Sequence, residues 1–235
     1  MYAWTLYKTC RGEIGLIGVG REFCAYFEVI LIKPCVFYTH MDIVFDIETA
    51  PIRFGEYMVR DDVTGEMKDI GALTPITGRI IAIGWMAGEE QHVFFDVDEQ
   101  KILERFWHSI AEAAQGSNSF VRFIGFNIKK FDLHFLLVRT LHHNIKITGF
   151  NPRLTIDLRE TLTFGQPYMK KGTLQDYAEL IGVAGKYNNL KASDIPQLWK
   201  EGQYEEVVKY VKRDVEITQA LYLRCKSTGI ISDIR

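Results

Sequence analysis

The sequence of 235 residues has few cysteines, no long apolar run and no excess of positive charge. Its four cysteines include no C-x-x-C pair, which argues against a zinc knuckle or a disulfide framework. No stretch approaches the roughly 18 apolar residues of a membrane span. The glycine-rich segment after Arg11 also differs from the apolar core of a signal peptide. We therefore expect a soluble, cytoplasmic protein with reduced thiols and no membrane partner.

Charge and composition exclude some binding modes and set the size class. Lys and Arg number 28 against 30 Asp and Glu, a formal net charge of −2. This balance excludes a strongly basic nucleic-acid coat protein but allows a local basic groove. Apolar residues form 47% of the chain and charged residues 25%, which is typical of a globular protein with a sizeable core. The length fits one large domain or two small ones.

The first 40 residues differ from the remainder of the chain. They are rich in cysteine, glycine and aromatic residues, show no helical periodicity, and precede an apolar segment that begins at Met41. They are either an extra strand or hairpin packed on the domain edge, or an upstream extension before a natural start at Met41. The second interpretation is favoured, and it divides the chain into an N-terminal extension, 1–40, and a domain, 41–235.

From Met41 onward, apolar patterns alternate between the periods of strands and helices. The predicted strands are 43–45, 79–86, 91–95, 120–126 and 154–158. The predicted helices are 98–114, 131–142, 173–181 and 205–225. A hairpin followed by strand–helix alternation predicts an α/β fold, with a central mixed sheet flanked by helices. The segment 50–78, with prolines and several charges, is predicted to be a long loop that could overhang a site.

Two carboxylates follow the first predicted strand of the domain. Asp46 and Glu48 are two residues apart, so on extended backbone their side chains point to the same side. Carboxylates that close repel each other unless a cation lies between them. A hard cation such as Mg²⁺ prefers these oxygen ligands. Taken alone, the pair is equally consistent with two solvated carboxylates at the end of a strand.

A third acid, Asp132, falls in the first turn of the helix predicted after strand 120–126. Phe131 and Phe135 can pack inward while Asp132 points toward the strand ends. Taken alone, an acid at this position is sufficiently explained by the helix dipole.

A fourth acid lies on the last predicted helix, where Tyr210 and Asp214 are four residues apart and hence on one face. Val207, Val211 and Ile217 surround them with apolar neighbours. Asp214 is therefore not expected to be a solvated surface charge, and the Tyr210 hydroxyl has a polar partner beside it.

The order of these motifs resembles the DEDD superfamily of 3′–5′ exonucleases, in the subclass that carries a tyrosine. The motifs are D-x-E at 46–48, N-x-x-x-F-D at 127–132 and Y-x-x-x-D at 210–214. The histidine subclass would carry its histidine five residues before the last acid, where this chain has Lys209. The resemblance implies a ribonuclease H-like fold.

Further runs extend the resemblance over about residues 42–225. The runs that begin at Asp157, Thr173 and Trp199 are similar to runs in the proofreading domains of family-B DNA polymerases. The chain is most similar to free-standing predicted exonucleases related to those domains. In this arrangement Asp157 is expected to be structural rather than a metal ligand.

The resemblance implies two Mg²⁺ or Mn²⁺ ions, which would neutralise the four acids and clamp a phosphodiester for in-line displacement. One ion would be held by Asp46, Glu48 and Asp214. The other would be reached by Asp46 and bound by Asp132, directly or through water. Tyr210 would orient the attacking water, because a neutral phenol is a poor general base. These five residues are the predicted catalytic residues.

The implied function is the removal of nucleoside 5′-monophosphates from single-stranded or frayed 3′ ends, of DNA rather than RNA. Thr49, Asn127 and Phe131 are the implied contacts to the terminal nucleotide. Lysines in the loops could track phosphates, although each is as well explained by a solvated surface charge. These lysines are Lys129, Lys130, Lys170, Lys171 and Lys186.

Three alternatives stay open at this point. An exoribonuclease would use the same site, because the four acids do not read the 2′-OH. A non-catalytic nucleic-acid-binding module would normally have lost one of the acids, whereas this chain has all four. A proofreading role needs a polymerase in trans, since the chain has no room for polymerase domains, and a repair complex is the other open partner.

Overall fold

The structure, a computed structural model, describes residues 3–8, 14–19, 40–116, 120–166, 172–185 and 187–232. Contacts divide the chain into two compact units, Met1–Tyr38 and Thr39–Arg235. In the first unit, β1 (Ala3–Lys8) pairs with β2 (Ile14–Val19) as an antiparallel sheet. The predictions made on Lys170, Lys171, Lys186 and the cysteines of the first unit lie outside the described residues.

The described strands of the second unit form a five-stranded sheet and a short hairpin-like pair. In chain order they are β3 (His40–Pro51), β4 (Met58–Arg60), β5 (Met67–Asp69), β6 (Gly78–Ala87), β7 (Glu90–Phe95), β8 (Phe120–Gly125) and β9 (Phe150–Asp157). The large sheet has the order β7-β6-β3-β8-β9, antiparallel from β7 to β3 and parallel from β3 to β9. The predicted mixed sheet is thereby confirmed. Within the part of the chain that the structure describes, strands β4 and β5 pair only with each other.

Six described helices accompany these strands. They are α1 (Glu99–Gly116), α2 (Asp132–His142), α3 (Leu158–Thr163), α4 (Leu174–Leu180), α5 (Ile195–Lys200) and α6 (Tyr204–Ser227). Two short 3₁₀ turns, Gly71–Leu73 and Tyr187–Asn189, complete the described elements. Within the described ranges, no helix combines the length and the apolar character that crossing a membrane requires.

The central strand β3 has two different faces. Ile43, Phe45 and Ile47 belong to a buried apolar cluster that also contains residues of α1 and α2. Val44, on the other face, belongs to a buried cluster with residues of α6. Because side chains alternate along a strand, Asp46 lies on the same face as Val44, toward α6.

A glycine lets α6 approach the sheet closely beside this acid. Gly84 of β6 is the antiparallel partner of Asp46. A Cβ at Gly84 would lie 2.9 Å from Val215 Cγ2 and 3.1 Å from Val211 Cγ2, which is closer than packed carbon atoms lie. The absence of a side chain at Gly84 therefore sets how near α6 comes to β3.

Three details differ from the sequence-based expectations. Strand β3 does not end before the acids but runs on to Pro51, with a register shift after Glu48. Backbone pairing with β6 holds this polar stretch in extended form, which an apolar pattern alone does not predict. The predicted loop 50–78 contains β4, β5 and a 3₁₀ turn. Helices α3 and α5, of six residues each, were missed because so short a segment shows no periodicity.

Candidate active site

A cavity of about 710 Å³ lies beside the acid-bearing face of β3. Its lining also comes from the residues that follow β8 and β9, from the start of α2 and from α6. Seven of the eight residues predicted as site residues line it: Asp46, Glu48, Thr49, Asn127, Phe131, Asp132 and Asp214. The eighth, Tyr210, lies behind the lining, as described below.

Three of the acids form a tight group. Carboxylate oxygens of Asp46, Glu48 and Asp214 all lie within 4.8 Å of one another. Glu48 and Asp214 are buried, and Asp46 is half-buried. Asp46 and Glu48 come from one strand and Asp214 from α6, so the group depends on how closely the helix packs on the sheet. Three carboxylates at this separation repel one another strongly unless a cation neutralises them.

The fourth acid is fixed to the backbone of the strand that bears the first two. Asp132 Oδ1 accepts a hydrogen bond from Ile47 N at 3.1 Å, and its side chain is buried. Burial raises the pKa of Asp132 to about 7, with further contributions from the charges of Asp157 and Asp214. This carboxyl group is therefore poised to change charge near neutral pH when no cation is bound.

Asp157 organises the backbone around Asp132. Its carboxylate accepts hydrogen bonds from Asn127 N at 3.0 Å and Lys129 N at 3.1 Å, both in the turn between β8 and α2. It also caps α3, accepting from Glu160 N at 3.1 Å. The three donors are all backbone N–H groups, so the observed contacts of this acid are those of a structural residue.

Tyr210 is fully buried and is not part of the cavity lining. Its ring belongs to the apolar cluster between α6 and β6, while its hydroxyl hydrogen-bonds to the side chain of Asp214. Burial, followed by the charges of Asp214, Glu48 and Asp46, raises the pKa of Tyr210 far above its ordinary value. The phenol is therefore neutral, and its hydroxyl donates a hydrogen bond to Asp214 in this structure. The predicted role in orienting water stays a prediction.

The segment between β3 and β6 forms one wall of the cavity. Thr49 Oγ1 donates a hydrogen bond to the carbonyl oxygen of Ala72 at 2.8 Å, which ties the 3₁₀ turn to β3. Met67, Ile70 and Leu73 of this segment line the cavity and are exposed. The segment thus contributes an apolar wall next to the acidic group.

Two of the three residues predicted to contact a nucleotide, Asn127 and Phe131, lie at the junction of β8 and α2. Asn127 has a φ of 66°, in the left-handed region that asparagine tolerates better than most residues. Its side-chain Oδ1 accepts a hydrogen bond from Arg159 Nη1 at 3.4 Å. The ring of Phe131 packs against Phe135 with centroids 5.4 Å apart and also lines the cavity.

Sequence reasoning missed Arg159 as a residue of the cavity. It follows the last residue of β9 by two positions, and β9 is the parallel neighbour of β8. The signal was available, because the carboxyl ends of adjacent parallel strands meet at one edge of a sheet. Of the predicted lysines that are described, Lys129 forms an ion pair with Glu160 at 2.6 Å and Lys130 is exposed, and neither lines the cavity.

Comparisons with known proteins identify sequence relatives and a structure of similar fold. A family model described as a predicted 3′–5′ exonuclease related to the exonuclease domain of PolB matches residues 147–231. An uncharacterized protein of Methanocaldococcus jannaschii is 33% identical over 170 residues, which cover 68% of this chain and 93% of that protein.

A solved structure with a similar fold is the family B DNA polymerase from the hyperthermophilic archaeon Pyrobaculum calidifontis. The TM-score is 0.57 at 15% sequence identity, over 95% of this chain and 28% of the polymerase chain. At this identity the likeness shows the fold alone, and it supports the expected ribonuclease H-like architecture. By its sequence relatives, and as its motif order predicted, the chain belongs to the family of predicted 3′–5′ exonucleases related to the exonuclease domain of PolB.

Proposed function

We propose that this protein is a metal-dependent 3′–5′ exonuclease that releases nucleoside 5′-monophosphates from single-stranded or frayed 3′ ends of DNA. The observation that carries the proposal is the convergence of four acids on one cavity. Asp46, Glu48 and Asp214 group within 4.8 Å, and Asp132 lines the same cavity from the start of α2. A cavity with this acidic floor would repel a phosphate backbone unless divalent cations were present.

The donor set fits Mg²⁺ or Mn²⁺. All four candidate ligands are carboxylates, the hard oxygen donors that these cations prefer, and no sulfur or imidazole ligand belongs to the group of three. In the proposed arrangement one ion would be bound by Asp46, Glu48 and Asp214. A second ion would be bound by Asp46 and Asp132. When bound, such ions supply Lewis-acid stabilisation of the phosphoryl oxygens and a lowered pKa of water.

The remaining groups of the chain position these ligands and the substrate. Tyr210 holds the Asp214 carboxylate through its hydroxyl, and Ile47 N holds Asp132. Asn127 and Phe131 line the cavity where a terminal nucleotide would enter, and we assign them to its sugar and base. Thr49 hydrogen-bonds to Ala72 and thereby fixes the 3₁₀ turn that forms part of the cavity wall.

DNA is proposed as the substrate because the fold is similar to that of a family B DNA polymerase. The four acids do not distinguish DNA from RNA, because they do not contact the 2′ position by themselves. The test must therefore use both a DNA and an RNA substrate.

The test is degradation of 5′-labelled single-stranded DNA and RNA of one sequence, with Mg²⁺, Mn²⁺ or EDTA. We expect a ladder that shortens from the 3′ end of DNA, that requires metal and that is lost in Asp46→Asn. The matched control is Asp62→Asn, an exposed Asp outside the cavity lining, which should retain full activity. Degradation of RNA alone would show that the substrate is RNA rather than DNA. If neither strand is degraded with any metal, the proposed nuclease activity is wrong and a nucleic-acid-binding module is favoured.

A further inference from the structure

Among the described residues, two basic side chains line the cavity, and their surroundings differ. Lys68 and Arg159 are the Lys and Arg residues among the lining. Lys68 Nζ forms an ion pair with Asp61 at 2.6 Å, so its charge is paired with a neighbouring carboxylate. Within the described residues, Arg159 forms no ion pair with a carboxylate, and its one side-chain hydrogen bond there is to the neutral Asn127 Oδ1 at 3.4 Å.

Most of the hydrogen-bond donors of the Arg159 guanidinium therefore have no protein acceptor among the described residues. A guanidinium presents five N–H donors in a planar fork, and a single contact of 3.4 Å uses at most one of them. The residue is half-buried and lines a cavity whose floor is four carboxylates. Yet its guanidinium forms no ion pair with any of those four carboxylates, all of which are described residues. Its charge remains available for an anion that enters the cavity.

Its position in the chain holds it in place. Arg159 is the second residue of α3, whose first turn is capped by Asp157. The same Asp157 carboxylate accepts from Asn127 N, and the Asn127 side chain accepts from Arg159. Backbone and side-chain hydrogen bonds thus link Arg159 to the turn that leads to Asp132. The backbone that carries Arg159 is therefore already ordered before a ligand binds.

We propose that Arg159 forms a phosphate-binding subsite of the cavity, separate from the carboxylate group, that binds one backbone phosphate of the nucleic-acid strand. The inference rests on the proposed function and adds to it the residue that neutralises the strand. A guanidinium suits this role because its paired N–H groups match two phosphate oxygens. Asn127 keeps the fork directed into the cavity.

The test measures binding of a fluorescent single-stranded DNA oligonucleotide by anisotropy over a range of salt concentrations. Ca²⁺ is the divalent ion, and strand integrity is checked on a gel. We expect Arg159→Gln to weaken binding about tenfold and to reduce the slope of log K against log salt by about 0.7, the value for one phosphate contact on a single strand. Arg159→Lys keeps the charge and should keep the slope. The matched control is Arg153→Gln, an exposed arginine of β9 outside the lining, which should leave both unchanged.

Methylphosphonate linkages then identify the phosphate. Neutralising one linkage at a time should reveal one position whose effect on wild-type binding is lost in Arg159→Gln, whereas a linkage bound at the carboxylate group should keep its effect in that variant. An unchanged salt slope in a folded Arg159→Gln protein, while the wild-type protein binds and degrades the strand, overturns the subsite alone. Failure of the wild-type protein to bind or degrade any strand overturns both the subsite and the proposed function.

Discussion

Asp132 Oδ1 accepts a hydrogen bond at 3.1 Å from the backbone N–H of Ile47, the residue between Asp46 and Glu48. The reason lies in the lengths of the strands. The pairing of β3 with β8 ends at Val44 and Ile124, so the edge of β3 beyond Val44 has no strand partner on that side. The first turn of α2 takes that place, and the backbone of one acidic motif thereby positions the acid of another.

The raised pKa of Asp132 predicts how the metal-free protein responds to pH. Its folded-state pKa of about 7 lies above the ordinary 3.8, so its contribution to stability is full below pH 4 and is lost as the pH rises through 7. We expect the free energy of unfolding in EDTA to decrease by a few kcal/mol from this group between pH 5 and pH 8. Asp132→Asn should remove that decrease. Urea titrations at both pH values measure it, and an identical pH response in the two proteins would contradict the assignment.

Divalent metal should stabilise the folded protein. Relief of repulsion among Asp46, Glu48 and Asp214 favours the bound form, and saturating Mn²⁺ is expected to raise the melting temperature by several degrees. Asp214→Asn should melt higher than the wild type in EDTA, because one repelling charge is gone, and should lose the metal-dependent rise. Asp62→Asn is the control and should behave as the wild type. Equal metal responses in Asp214→Asn and the wild type would exclude this site.

The hydroxyl of Tyr210 should matter through Asp214. Tyr210→Phe removes the hydroxyl and keeps the ring in its apolar cluster. We expect an activity lower by about 10–100-fold together with a higher metal concentration for half-maximal rate, the effect of losing a partner of a metal ligand. A lower rate at saturating metal with an unchanged metal requirement would instead favour direct orientation of water. No change in either quantity would exclude both roles.

Gly84 should control the distance between α6 and the acidic strand. In Gly84→Ala the new Cβ would lie 2.9 Å from Val215 Cγ2, so the Val215 side chain or the helix that carries it must shift. We expect a loss of about 1–3 kcal/mol in the free energy of unfolding and weaker metal binding, because Asp214 moves with α6. Gly84→Ala combined with Val215→Ala makes room for the new methyl group, and its loss should be smaller than the sum of the single losses. Additive losses would show that the contact is not limiting.

The domain proposed from the sequence can be tested by truncation. A chain that begins at Met41 lacks the unit Met1–Tyr38 and two further residues, of which His40 is the first residue of β3. We propose that residues 41–235 fold by themselves and keep the nuclease activity, because every described residue of the cavity lies within that range. Circular dichroism and the strand-degradation assay check this. A truncated chain that folds but is inactive would assign the first 40 residues a part in the activity.

Much of the fold followed from periodicity, and the exceptions have two causes. Helices such as α1 and α6 were predictable because their apolar positions repeat over several turns. The extension of β3 through Asp46 and Glu48 was not, since its polar residues are held extended by pairing with β6 rather than by their own preferences. Strands β4 and β5 of three residues each are below the length at which alternation is detectable.

The sequence by itself determined which residues the candidate site is built from: four acids and a tyrosine in a fixed order, and a carboxylate pair that points to one side of a strand. Only the tertiary structure decided which of these groups meet. Asp214 reaches Asp46 because Gly84 lets α6 pack closely on the sheet, and Asp132 reaches β3 because β8 ends early. It also brought Arg159 into the cavity. Such contacts depend on packing distances and strand lengths, which residues far apart in the chain set together.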